Sequence, residues 1–156
     1  MQNLREIAKL SSQQGDRAIY LAVSLIETMV HLRSNGPESI EQAQRSLAAA
    51  WKYQLDAGAQ IPQLTGLAHI LDVVCSIRQG NPVAMLNKLK EMQVMMDSAL
   101  QDPTWSTDDT IALPINGRKS SQVVSPDTRA IIGIGADGRD NLMMPFLSVK
   151  DAYSLT

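Results

Sequence analysis

Asp72-Val73-Val74-Cys75-Ser76-Ile77-Arg78-Gln79-Gly80-Asn81-Pro82-Val83-Ala84-Met85 decides the fold, because it reads as a helix, a stop and a second helix. Gly80 suits the left-handed residue that follows a helix C-terminus. Asn81 suits the cap, and Pro82 the first helical position, where a missing N–H costs nothing. The same punctuation occurs upstream at Asn35-Gly36-Pro37, so the turn prolines Pro37 and Pro82 stand 45 residues apart. Carrying that offset along the chain pairs apolar with apolar: Ala22/Leu67, Ile26/Leu71, Met29/Val74 and Leu32/Ile77 before the turn. After it come Ile40/Met85, Leu47/Met92, Trp51/Met96 and Leu55/Leu100. A repeated hairpin that cannot bury its own apolar face stacks on its neighbours, which is the logic of a helical solenoid. The period exceeds the 34 residues of a standard TPR, so the expected fold class is all-α, with antiparallel hairpins of a TPR-like α-α superhelix.

Working outward, a first helix is expected over about Asn3–Gln13, ended by Gly15, with the Asp16 carboxylate capping the next. That second helix runs to about Ser34 and carries Ile19, Ala22, Val23, Ile26, Met29 and Val30 as its apolar stripe. The third covers about Glu38–Leu55, with Pro37 at its start. Its small residues Ala43, Ala48, Ala49 and Ala50 allow a neighbouring helix to come close. Pro62 opens the fourth helix, whose stripe is Leu64, Leu67, Ala68, Leu71, Val74 and Cys75. The fifth runs to about Leu100 with Met85, Leu89, Met92 and Met96 inward.

From Pro103 the composition changes. Residues 103–146 hold four prolines and read as an irregular Pro/Gly/Ser-containing insertion, with Asn116–Thr128 as a mobile loop. Within it Ile111–Leu113 and Ile131–Ile134 are short strand candidates, and Ala136-Asp137-Gly138 is a turn leading into Leu142–Phe146. Ser148 followed by Asp151 resembles a capping box ahead of Ala152, Tyr153 and Leu155. Residues 147–156 therefore read as the start of a further helix, and the whole as a slice of a longer array. The expected organisation is 1–102 helical repeats, 103–146 insertion and 147–156 the next helix.

Bulk composition bounds the function. The 156 residues are 44% hydrophobic but only 4% aromatic, a mix suited to helix packing. A net charge of −2 leaves no basic stripe for nucleic acid, so no direct nucleic-acid site is expected. The single Cys75 excludes an internal disulfide, and no apolar run is long enough to span a membrane.

Motifs for chemistry fail on context. His31 and His69 lie in different helices without ligand partners at zinc-binding spacing, and read as helix-surface or interface histidines. Cys75 reads as a small buried hydrophobe rather than a nucleophile. Gly133-Ile134-Gly135-Ala136-Asp137-Gly138 resembles a phosphate loop but lacks a following helix, so a hairpin turn is the better reading. Met92, Met95 and Met96 read as interhelix core, and Ser125-Pro126 is a minimal proline-directed phosphorylation site. No catalytic, cofactor-binding or metal residues are assigned, no cofactor is expected, and the partner-binding face stays unknown.

Several stretches resemble the cohesin loading factor family, the TPR-like helical subunit of the cohesin loader, fungal type. Gly15-Asp16-Arg17-Ala18-Ile19 with Ser24-Leu25-Ile26-Glu27-Thr28-Met29-Val30-His31-Leu32-Arg33 looks like one repeat helix of that family. Ile61-Pro62-Gln63-Leu64 leading to Leu71–Ile77 and Gly80-Asn81-Pro82 is similar to the next helix and turn. Lys88-Leu89-Lys90-Glu91-Met92-Gln93, Trp105-Ser106, Leu113-Pro114-Ile115, Asp137-Gly138-Arg139-Asp140 and Leu147–Tyr153 follow in the family's order. The resemblance implies a non-catalytic nuclear, chromatin-associated scaffold. It would bind the extended N-terminal segment of the large HEAT-repeat loader subunit, and cohesin and chromatin indirectly. Two readings from the residues alone stay open beside it: an unrelated TPR-like or HEAT-like adaptor, and a small helical enzyme with a site in the 103–146 loop. The acids available to that enzyme are Asp108, Asp109, Asp127 and Asp137, followed by Asp140.

Overall fold

The computed structural model describes residues 2–57, 61–99, 110–119, 132–134 and 139–145. Among the described residues five helices come first: α1 Gln2–Gln14, α2 Arg17–Arg33, α3 Ser39–Ala57, α4 Pro62–Arg78 and α5 Pro82–Ala99. Three strands follow, β1 Thr110–Lys119, β2 Ile132–Ile134 and β3 Arg139–Pro145, in an antiparallel sheet ordered β1-β3-β2. The helices pair as the offset predicts, α2 with α3 and α4 with α5, and α4 packs back on both members of the first hairpin.

The second turn forms as read. Gly80 adopts a φ of 66°. Its N–H reaches the Ile77 carbonyl at 3.0 Å, and that of Asn81 reaches Ser76 at 3.1 Å. This is the paired closure that satisfies the last carbonyls of a helix. Asn81 then caps α5, its Oδ1 accepting from the Ala84 N–H at 3.0 Å. The first turn differs. Ser34 ends α2 in extended backbone, and Ser39 N–H donates to the Gly36 carbonyl at 3.1 Å, closing a β-turn with Pro37 in its second position. Pro37 therefore precedes the helix rather than opening it. The two turns share residue types but not geometry.

Asp16 also departs from expectation. It precedes α2, but no side-chain cap hydrogen bond forms. Its ψ of 72° falls short of the extended backbone that aims a cap side chain at the first turn. The apolar stripe of α2 is rotated as well: Ala18, Leu21, Ala22, Leu25 and Leu32 enter the core, while Met29 and Val30 are exposed.

The main core joins α2, α3 and α4. Leu25 and Leu64 are fully enclosed, and Ala43, Ala50 and Ala68 are fully buried between them and their neighbours in the same cluster. These alanines let the backbones approach closely. Thr28, fully buried, donates to the Ser24 carbonyl at 2.8 Å and lies 3.5 Å from the Ala43 carbonyl on the neighbouring helix. At the far end the Arg78 guanidinium donates to the Leu32 carbonyl. It thereby satisfies one of the orphan acceptors at the C-terminus of α2. A second small core holds Met92 and Met96 with Ile70, Leu89 and Met95 around them, as the methionine spacing predicts.

The strands at Ile111–Leu113 and Ile132–Ile134 lie where their residues suggested. β2 pairs with β3 through Ile132↔Leu142, Gly133↔Asn141 and Ile134↔Asp140. β1 is longer than expected, because Lys119 pairs with Arg139 beyond an irregularity after Pro114, extending strand into the stretch read as loop. Ile111 and Leu113 alternate inward and join the main core, with α2 against the strand, while Ala112 and Pro114 face out. The rest of the expected loop, the turn at 136–138, Ser125 and the further helix at 147–156 lie outside the described residues.

Candidate functional site

A cleft of about 250 Å³ opens between α3 and α5, with α4 as its floor. Helical spacing puts Gln44, Leu47, Ala48 and Trp51 along one face of α3, and this face forms the first wall. Asp72, Cys75 and Gln79 rise from α4 at the same periodicity, and Lys88 stands on α5.

Polar groups from all three helices converge on Asp72. The Trp51 indole Nε1 donates to Asp72 Oδ2 at 3.0 Å, and Lys88 Nζ lies 3.6 Å from the same oxygen. Lys88 also donates to Glu91 Oε2 at 3.0 Å. That hydrogen bond raises the Lys88 pKa, against partial burial, with further help from Asp72. The ammonium stays charged and the cleft holds an offset pair. The pair joins the α4 floor to the α5 wall and adds little stability, since Lys88 is partly solvated.

His69 packs edge-on against Trp51, with ring centroids 4.9 Å apart and planes at 71°. Burial pushes its pKa below the ordinary value, while Asp72 and Glu91 pull upward and Lys88 pushes down. Nδ1 of His69 is buried without a hydrogen-bond partner, which leaves no acceptor for a second proton. The Cys75 thiol is enclosed, and burial first, then the Asp72 charge, push its pKa up to about 11. A thiol held protonated is a poor nucleophile and a poor metal ligand.

Of the candidates the sequence offered, His69 and Cys75 both lie close enough to Asp72 to feel its charge, and the others do not join them. His31 sits half-buried near the end of α2, on a different helix from His69. Gly133 and Ile134 belong to β2, paired antiparallel with β3, and the rest of the glycine-rich stretch, 135–138, lies outside the described residues. Asp140 pairs with Ile134 across that hairpin, whereas Asp108, Asp109, Asp127 and Asp137 fall outside the described residues. Among the described residues no group of three or more His, Cys, Asp or Glu is arranged to hold a metal. No helix among them is long and apolar enough to cross a membrane. What the sequence did not disclose is Asp72 as the meeting point of Trp51 and Lys88. Those partners lie 21 residues before it and 16 after it, where no local spacing rule applies.

Among the described residues the arrangement is a shaped recess in which opposite charges, on Asp72 and Lys88, stand 3.6 Å apart. Comparison with curated proteins and with solved structures gave no match. The family model described as cohesin loading factor matches residues 1–156, and this chain of stacked helical hairpins belongs to the cohesin loading factor family, with a role in cohesin loading.

Proposed function

We propose that the protein is a non-catalytic scaffold subunit of the cohesin loader. It holds the extended N-terminal segment of the large HEAT-repeat loader subunit, and the pair loads cohesin onto chromatin for sister-chromatid cohesion and chromosome segregation in mitosis. The proposed location is the nucleus, on chromatin, and contact with cohesin is indirect. The observation that carries the reading is the family match over residues 1–156. The paired helices α2/α3 and α4/α5 support it physically, because stacked hairpins present long helical faces to an extended chain. A partner segment that is disordered alone buries its apolar side chains on such a face and pays its ordering entropy on binding. Residues 1–102 form the helical repeat portion in this reading, 103–146 an insertion and 147–156 the start of the next helix.

The test is affinity purification of the tagged protein from dividing cells, with and without its depletion. Recovery of a large HEAT-repeat subunit, and loss of chromatin-bound cohesin on depletion, is the expected result. Recovery of other partners, with chromatin-bound cohesin unchanged, overturns the proposal.

A further inference from the structure

We propose that the α3–α5 cleft is a peptide anchor that takes one uncharged aliphatic side chain, of Leu, Ile or Met size, from an extended partner segment. This rests on the scaffold reading and adds the place and chemistry of the contact.

Size comes first. A cleft of about 250 Å³ is several times the roughly 30 Å³ share of one water. It is smaller than the roughly 300–1,000 Å³ of pockets that enclose cofactors or drug-sized ligands. One inserted side chain suits it, and a nucleotide does not.

Charge decides the kind of side chain. The Asp72 carboxylate is already met by the Trp51 N–H at 3.0 Å and by Lys88 at 3.6 Å. An incoming cation would compete with Lys88, and an incoming anion would face Asp72. Either would shed its hydration for neutral carboxamides at the rim, with no full countercharge left unpaired in the cleft. An aliphatic group meets Leu47, Ala48, Cys75 and the Trp51 ring and leaves the offset pair untouched.

The rim suits an extended backbone. Gln44 on α3 and Gln79 on α4 each carry a carboxamide with both donors and an acceptor. An extended chain has backbone N–H and C=O groups that need such partners once covered. The walls are preformed by the Trp51–Asp72–Lys88 connection, so little ordering cost falls on the scaffold.

The experiment uses the full chain and a fluorescent peptide covering the N-terminal segment of the large HEAT-repeat subunit, read by anisotropy. Ala48 is exposed on its helix, so Ala48→Trp fills the cleft without disturbing the core. Unchanged thermal melting confirms that the variant folds. Binding about tenfold weaker or worse is expected for Ala48→Trp, the loss typical of an anchor contact. The exposed Gln79→Ala weakens binding less, and a photo-crosslinker at position 48 captures the peptide at an aliphatic residue. Equal binding by wild type and Ala48→Trp, or crosslinking only at charged peptide residues, overturns the anchor and leaves the scaffold reading standing. Absence of wild-type binding to any part of that segment overturns both.

Discussion

The indole of Trp51 donates to the carboxylate of Asp72 across 3.0 Å, joining the second helix of one hairpin to the first helix of the next. The bond is partly buried, and its acceptor is charged. Such bonds are worth about 1.5–3 kcal/mol. Trp51→Phe keeps most of the ring against the core and removes only the donor. A double-mutant cycle with Asp72→Asn is therefore expected to give a coupling energy near the lower end of that range. Trp51→Ala, which also empties the hairpin junction, costs about 3–5 kcal/mol by the usual large-to-small penalty. Denaturant titration measures both, and a Trp51→Ala loss below about 1 kcal/mol would show the ring to be dispensable at this junction.

The two turn glycines should answer differently to the same substitution. Gly80 holds a φ of 66°, which an L side chain adopts only at a cost of about 1–2 kcal/mol. Gly36 has no such backbone, and an added Cβ there would meet nothing nearer than Ser34 Oγ at 3.8 Å. Gly80→Ala is expected to lower stability by roughly that cost, and Gly36→Ala to be neutral or to stabilise by up to about 1 kcal/mol through the unfolded state. Equal effects in thermal melts would contradict the turn geometries.

Leu113 provides a test of how the sheet is joined to the helices. It is fully buried in the main core, whereas its neighbour Ala112 faces outward. Leu113→Ala should cost about 2–5 kcal/mol. Ala112→Thr should stay within about 0.5 kcal/mol. If the two variants unfold alike, β1 is not part of the core.

These residues mark where sequence reading succeeds and where it stops. Gly80-Asn81-Pro82 is decided locally, because each residue type answers a backbone or hydrogen-bond demand within five positions, and the turn forms as read. Met92 and Met96 follow from helical period alone. The burial of Ile111 and Leu113 does not follow, even though their alternation signals a strand. Their cover is α2, nearly ninety residues upstream, and no local pattern names it. The rotated stripe of α2 has the same origin: Met29 and Val30 lie at helical spacing, but the helices that pack on α2 choose a neighbouring face. The cleft is least legible of all, since it is a space between three helices rather than a property of any one.

His69 gives the fold a pH dependence of definite sign. Burial holds its folded pKa below the ordinary 6.5, so between those two values the unfolded chain binds more protons than the folded one. Stability from this group is whole above about 6.5 and falls as pH drops through the folded pKa, by at most about 1.4 kcal/mol per pH unit. Denaturation midpoints at pH 7.5 and 5.5 should therefore drop further in wild type than in His69→Gln. An equal drop in both proteins would place the imidazole in water, and a smaller drop in wild type would mean that the neighbouring carboxylates outweigh burial.

Burial restrains the reactivity of Cys75 in two ways, by raising its pKa and by blocking access. The side chain is 3% exposed, and its thiol is pushed from 9.0 up to about 11. Only the thiolate alkylates, so at pH 8 a two-unit rise alone slows reaction with iodoacetamide about a hundredfold relative to the unfolded chain. Burial slows it further, because reagent must enter past Trp51 and Ala48 at the cleft wall. Labelling of the native protein should therefore proceed no faster than local opening and become rapid in denaturant. Ala48→Trp should slow it again if reagent enters by the cleft, and leave it unchanged if the route is global unfolding. Native labelling at the rate of a free cysteine would mean that the floor of the cleft is open to solvent.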